Sequence, residues 1–187
     1  MKTILLGRKN CLSRPYRWGR PKWHGQAGTI LLNLPEKTMS NHDILQGGCL
    51  CGQIRYAISP GSVFDAGWCH CRQCRQMTGS AALPFFNVMP AAFDILQGNP
   101  KRYCSSYQGW RVFCGDCGSP IWYQPAEPGG HIAVNTGTLD HPDDPSVRPR
   151  FHMFDVERLT WFDADPALPR FQDNELTHPD TRKLYQP

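Results

Sequence analysis

The chain has 187 residues, 40% of them hydrophobic, enough for one ordinary domain with a core. Glycine and proline, 17 each, favour many short elements over long helices, and no apolar run approaches the ~20 residues of a membrane helix. The net charge of +4 is uneven: residues 1–38 carry eight basic side chains against Glu36 alone, so the rest is mildly acidic and lacks the basic stripe of a nucleic-acid face.

Residues 1–38 are rich in Gly, Pro and Trp and have no periodicity. They read as a basic, disordered extension, or as sequence upstream of a start at Met39. Pro15, Gly19, Pro21 and Gly25 would break the amphipathic helix of a targeting peptide, and Thr3 to Leu6 is too short for a secretory apolar region. A domain over residues 39–187 is expected to follow.

That domain opens with a strand over 42–48 and a glycine turn. Gln53 to Ile58 alternates and carries β-formers, as a strand does. Further strands are expected at 63–68, 81–89, 93–96, 101–107, 110–113, 120–123, 131–135 and 150–154, with one helical turn over 72–77. Pro84 places its strand at an edge or a bulge. The expected fold is mainly β, with about eight to ten short strands.

Nine cysteines raise a choice between disulfides and metal. Seven are close-set: Cys49-x-Cys51, Cys69-x-Cys71-x2-Cys74 and Cys114-x2-Cys117. These are metal-ligand spacings, and they favour a reduced, cytoplasmic setting. Gly48, Gly52, Gly115 and Gly118 flank the two outer pairs and permit tight turns. Two such half-sites, on two hairpins, make a four-thiolate zinc site that fixes the fold.

Cys69, Cys71 and Cys74 have no second half-site. Three ligands with an exchangeable fourth position is the pattern of catalytic zinc. A closed site, completed by Cys104 or a histidine, remains the alternative. Otherwise Cys104 reads as a small buried residue, and Cys11 receives no role. Arg72 and Arg75 could offset thiolate charge or hold a substrate carboxylate. His70 should point away from its flanking ligands on an extended segment, and His131 and His152 read as structural histidines. Thr78, Gly79 and Ser80 are near the site in sequence only.

The runs Gly48 to Tyr56, Cys69 to Arg75 and Phe113 to Pro120 together resemble the glutathione-dependent formaldehyde-activating enzyme family, which includes centromere protein V. Asn135 to Asp140 looks like a later segment of the same family. The resemblance covers roughly residues 46–170. It implies a β-tent fold with two zinc ions, a structural one on Cys49, Cys51, Cys114 and Cys117 and a catalytic one on Cys69, Cys71 and Cys74. It also implies a carbon–sulfur lyase, with glutathione and formaldehyde condensing to S-hydroxymethylglutathione, or a related thiol adduct as substrate. The competing reading is a non-enzymatic zinc module that binds protein or nucleic acid. An open position facing a pocket favours the enzyme; a site closed by Cys104 favours the module.

Overall fold

The computed structural model describes residues 44–106, 109–126 and 130–173. The basic segment 1–38, the start at Met39 and Cys11 lie outside the described residues. Among the described residues ten short strands and one α-helix follow in order: β1 Leu45–Gly48, β2 Arg55–Ile58, β3 Asp65–Cys69, α1 Arg72–Thr78, β4 Leu83–Val88, β5 Phe93–Gln97, β6 Lys101–Ser106, β7 Gly109–Phe113, β8 Pro120–Pro125, β9 Ile132–Asn135 and β10 His152–Met153. The fold is mainly β, as the alternation and turn residues predict.

The strands form two sheets. One has the order β1-β2-β5; the other runs β10-β3-β4-β9-β8-β7-β6. All pairings are antiparallel except β10 on β3, where His152 lies opposite Trp68 and Met153 opposite Cys69.

The main core lies between the sheets. It includes Tyr56, Ile58, Phe86, Val88, Phe93, Trp122, Ile132 and Val134, all nearly or fully buried. Tyr56 stacks on Phe93 at 5.1 Å, and Phe93 tilts against Trp122 at 4.9 Å. Period-2 alternation puts these side chains on the inner faces. Arg55 and Asp140 form an ion pair at the surface, beside the bridge between Gly47 and Leu139.

A second, smaller core gathers Cys69, Cys74, Leu83, Phe85, Phe151 and Met153. It lies under α1 and β10 and supports the three-cysteine motif. Pro84 is not at an edge, because β4 lies between β3 and β9. Pairing with β9 begins only at Phe85, opposite Asn135, so Pro84 sits one residue beyond it. Its missing N–H therefore removes no bond to β9.

Candidate functional site

Cys49 and Cys51 lie in the loop joining β1 to β2, and Cys114 and Cys117 in the loop joining β7 to β8. The two hairpins belong to different sheets, so the cysteines meet where the sheets converge. Gly52 at φ 78° and Gly118 at φ 76° make the left-handed turns that curl each loop. Leu50 N–H donates to Ser119 Oγ at 3.0 Å and ties one loop to the other.

All four sulfurs lie within 4.8 Å of one another. Cys49 and Cys51 are 3.5 Å apart, and Cys51 and Cys114 are 3.7 Å apart. Those separations are far longer than the ~2.05 Å of a disulfide. They match the ~3.8 Å edge of a sulfur tetrahedron around zinc, which follows from Zn–S near ~2.3 Å. Ile54 N–H donates to Cys49 Sγ at 3.2 Å, and Ser119 Oγ lies 3.2 Å from Cys117 Sγ. The hydroxyl and backbone of Ser119 hold the Cys117 thiol down to about 5. Donors aimed at sulfur suit thiolates rather than neutral thiols.

The second cluster is built differently. Cys69 ends β3, Cys71 caps α1, and Cys74 lies in the first turn of α1. Cys71 Sγ accepts from Cys74 N–H at 3.4 Å, so the thiol acts as the N-cap. Gly79, in the left-handed region at φ 69°, ends the helix. Cys69 Sγ lies 3.4 Å from Cys71 Sγ, and all three sulfurs fall within 4.8 Å. The neighbouring Cys69 and Cys74 sulfurs push the Cys71 thiol down to about 2, and Cys71 in turn pushes Cys69 well up. One thiolate ionises at the expense of its neighbours, so all three can be charged together only around a cation.

Among the described residues, no fourth Cys, His, Asp or Glu joins these three sulfurs. Cys104 does not close the site: it lies on β6, and its sulfur is not among the three that come together. His70 does not close it either. It is fully buried, and its Nε2 meets His152 Nδ1 at 2.8 Å. His152 Nε2 donates to the Asp165 carbonyl at 3.1 Å, which makes His152 Nδ1 the acceptor and His70 the donor. The histidine between two ligands thus packs inward, as expected of an extended segment, and burial holds its pKa down to about 4.

A cavity of about 480 Å³ opens on the three cysteines. Its walls include Arg111, Tyr123, His131, Asn87, Phe154 and Glu157. Such a volume suits a small molecule. Phe154, at φ 56°, turns the chain so that its segment forms one wall. Arg72 lines the rim with an exposed side chain, and its backbone N–H donates to Glu157 Oε2 at 2.6 Å. Arg75 does not line the cavity; its Nε donates to the His70 carbonyl at 3.0 Å and braces the segment between Cys69 and Cys71. Thr78 and Ser80 bond each other at 2.8 Å, away from the cavity. His131, expected to be purely structural, lines the cavity wall.

Arg111 is the site residue that sequence reasoning missed. It lies on β7 between Trp110 and Val112, both buried, and so projects from the opposite face. Its Nη1 donates to Cys74 Sγ at 3.5 Å, and its guanidinium lies 4.8 Å from the centre of the Tyr123 ring. A charged residue inside an aromatic and aliphatic strand was the available signal. Its closeness to Cys74 depends on how far-apart segments fold together.

The sequence pattern of the glutathione-dependent formaldehyde-activating enzyme family matches residues 44–157. The chain belongs to this family. The matched span holds both cysteine clusters and most of the cavity wall. A Halomonas elongata protein provisionally named a glutathione-dependent formaldehyde-activating enzyme is 24% identical over 132 residues, covering 65% of this chain and 82% of its own. A crystal structure of a Rhodobacter sphaeroides protein is 18% identical, with a TM-score of 0.44, and covers 67% of this chain and 98% of its own. Within the family domain, the two cysteine groups are each able to hold a metal ion. Among the described residues, no helix is long and apolar enough to cross a membrane.

Proposed function

We propose that this chain is a zinc-dependent carbon–sulfur lyase that joins glutathione and formaldehyde into S-hydroxymethylglutathione, or makes and cleaves a related thiol adduct. The observation that carries the reading is a three-sulfur cluster with no fourth protein ligand among the described residues, facing a cavity of about 480 Å³. Cys69, Cys71 and Cys74 would hold the second zinc, and Cys49, Cys51, Cys114 and Cys117 the first. Bound by three thiolates, zinc would lower the pKa of an incoming thiol and polarise a carbonyl.

The rest of the work falls to the chain itself. Cys69, Cys71 and Cys74 sit on the end of a strand and the first turn of a helix, so their positions are fixed before substrate arrives. Arg75 and the His70–His152 pair hold the backbone between them. The cavity walls bring thiol and aldehyde together, which removes much of the entropic cost of a bimolecular step. In the forward direction a C–S bond forms between the glutathione sulfur and the formaldehyde carbon. The thiol proton ends on the former carbonyl oxygen, and no oxidant or reductant is needed. Glutathione and formaldehyde also combine spontaneously, so the test is exchange at equilibrium. Two-dimensional exchange NMR should show faster interconversion of glutathione and its adduct with wild-type protein, and background exchange with Cys71→Ser. Background exchange with zinc-loaded wild type would refute the lyase reading.

A further inference from the structure

The cavity contains a cation whose charge is not matched by any carboxylate. Among the described residues, the ion pairs join Arg55, Arg158 and Arg170 to aspartates, and none involves Arg111. Arg111 is half-buried, lines the cavity and is held over the Tyr123 ring. Its Nη1 is directed to Cys74 Sγ at 3.5 Å. Its Nη2 has only a long contact, 3.3 Å, to the amide oxygen of Gln73, an exposed residue. Its Nε is buried and has no partner.

A guanidinium is costly to desolvate; Cys74 Sγ serves one edge of it, and on the other a neutral amide at 3.3 Å returns little of the cost. A carboxylate accepting from the same Nη2 would return far more of it. The Gln73 amide sits on the exposed first turn of α1 and can be displaced without disturbing the core. The Tyr123 ring keeps the guanidinium plane in place before any ligand enters.

We propose that Arg111 makes this cavity select thiols that carry a carboxylate. This rests on the reading above, in which a thiol enters beside Cys69, Cys71 and Cys74. One edge of the guanidinium stays on Cys74 Sγ, and Nη2 exchanges the Gln73 oxygen for the carboxylate of the incoming thiol. The selected group is therefore a carboxylate carried on the same molecule as the sulfur. A neutral thiol of the same size leaves Arg111 on its weak amide contact. A cationic thiol meets a like charge.

Calorimetric titration of zinc-loaded protein with 3-mercaptopropionate, 2-mercaptoethanol and cysteamine tests this. The wild type should bind 3-mercaptopropionate about tenfold or more tighter than 2-mercaptoethanol, in line with a hydrogen bond between charged groups, and cysteamine weakest of all. Arg111→Met should abolish that preference while two zinc ions remain bound. Arg111→Lys, which keeps the charge without the fork, should retain part of it. Equal affinities in the wild type, or no binding of either thiol, would overturn the proposal without use of a variant. So would a preference that survives in Arg111→Met. A clear carboxylate preference together with background adduct exchange would instead sink the lyase reading and leave the Arg111 assignment standing.

Discussion

Substitution of Gly67 by alanine tests how the three-cysteine cluster is supported. Gly67 lies on β3, opposite Phe85, two residues before Cys69. A Cβ built there would stand 2.6 Å from Phe151 Cε2, 2.7 Å from Cζ and 3.0 Å from Cδ2. Comfortable carbon contacts need ~3.5–4.0 Å, so the ring would have to retreat by about 1 Å. It has little room to do so. Phe151 is 1% exposed, packs edge-on to Phe85 and to Phe171 at 6.0 Å each, and its carbonyl accepts from Trp68 N–H at 2.8 Å.

Two effects compete in this variant. Gly→Ala in a compatible strand stabilises by ~0.4–1 kcal/mol, because the unfolded chain loses freedom. Overpacking a full core costs ~1–3 kcal/mol. With a ring pinned on three sides the second effect wins. At mid-range values the net cost is ~1.3 kcal/mol, so Gly67→Ala should lower the melting temperature by roughly 3–5 °C, at ~2–4 °C per kcal/mol for a chain of this size. The loss should reach the site as well, because β10 carries Met153, whose carbonyl accepts from His70 N–H at 3.0 Å. Zinc should leave the second site faster, while the four-cysteine site keeps its ion. Phe151→Leu in the same chain should recover part of the stability. Calorimetric melting of the three proteins decides the matter. A melting temperature for Gly67→Ala equal to or above that of wild type would refute the packing argument.

Other outcomes follow from the same structure. Cys114→Ser removes a fully buried member of the cluster joining the two sheets, and it should destabilise the chain by several kcal/mol, up to the order of 10 kcal/mol that structural zinc contributes. Cys71→Ser should instead leave a folded protein with one zinc; a Cys114→Ser variant that melts with wild type would contradict that division. His152→Leu removes the acceptor that meets His70 Nε2 at 2.8 Å and should cost ~1–3 kcal/mol in urea unfolding, so an unchanged midpoint would show that the pair is dispensable. Burial lowers the pKa of His131 below its ordinary 6.5, against the opposing pull of Asp65. The unfolded chain then takes up the proton first, so the stability from this group is present above pH 6.5 and is lost as the pH falls toward the folded value. An NMR titration of His131 with a midpoint at or above 6.5 would reverse that sign.

The cysteine groups were legible because ligand spacing is local. Cys49-x-Cys51 and Cys114-x2-Cys117 each fit one hairpin loop, and the glycines beside them mark the turns. That the two loops meet depends on pairing across the sheets, which spacing suggests only when both half-sites are present. The helical turn after Cys71 was legible too, with Gly79 to stop it. Pro84 misled because proline in a strand usually marks an edge. Its position at the end of one pairing resolves the conflict, and that register is set by β9, some fifty residues away. The parallel strand β10 is two residues long and carries no signal beyond His152 and Met153.

The fourth position could not be read from sequence at all. Cys104 was a reasonable candidate by residue type, but strand pairing of β6 with β7 keeps it out of the three-sulfur cluster. Arg111 was hidden for the opposite reason. Nothing near it in sequence is a cysteine until Cys114, and that residue belongs to the other cluster. Of the charges next to a ligand in sequence, Arg72 lines the cavity and Arg75 does not, while Arg111 reaches it from across the sheet.

X-ray absorption at the zinc edge, with and without added thiol, tests the central claim most directly. One closed site with four sulfurs and one open site with three predict an average of about 3.5 sulfur neighbours per zinc, with a lighter atom as the fourth ligand of the second zinc. Saturating thiol should raise that average to about 4 and remove the lighter neighbour. An average of about 4 before any thiol is added would mean that the chain closes the second site itself, and would contradict the account.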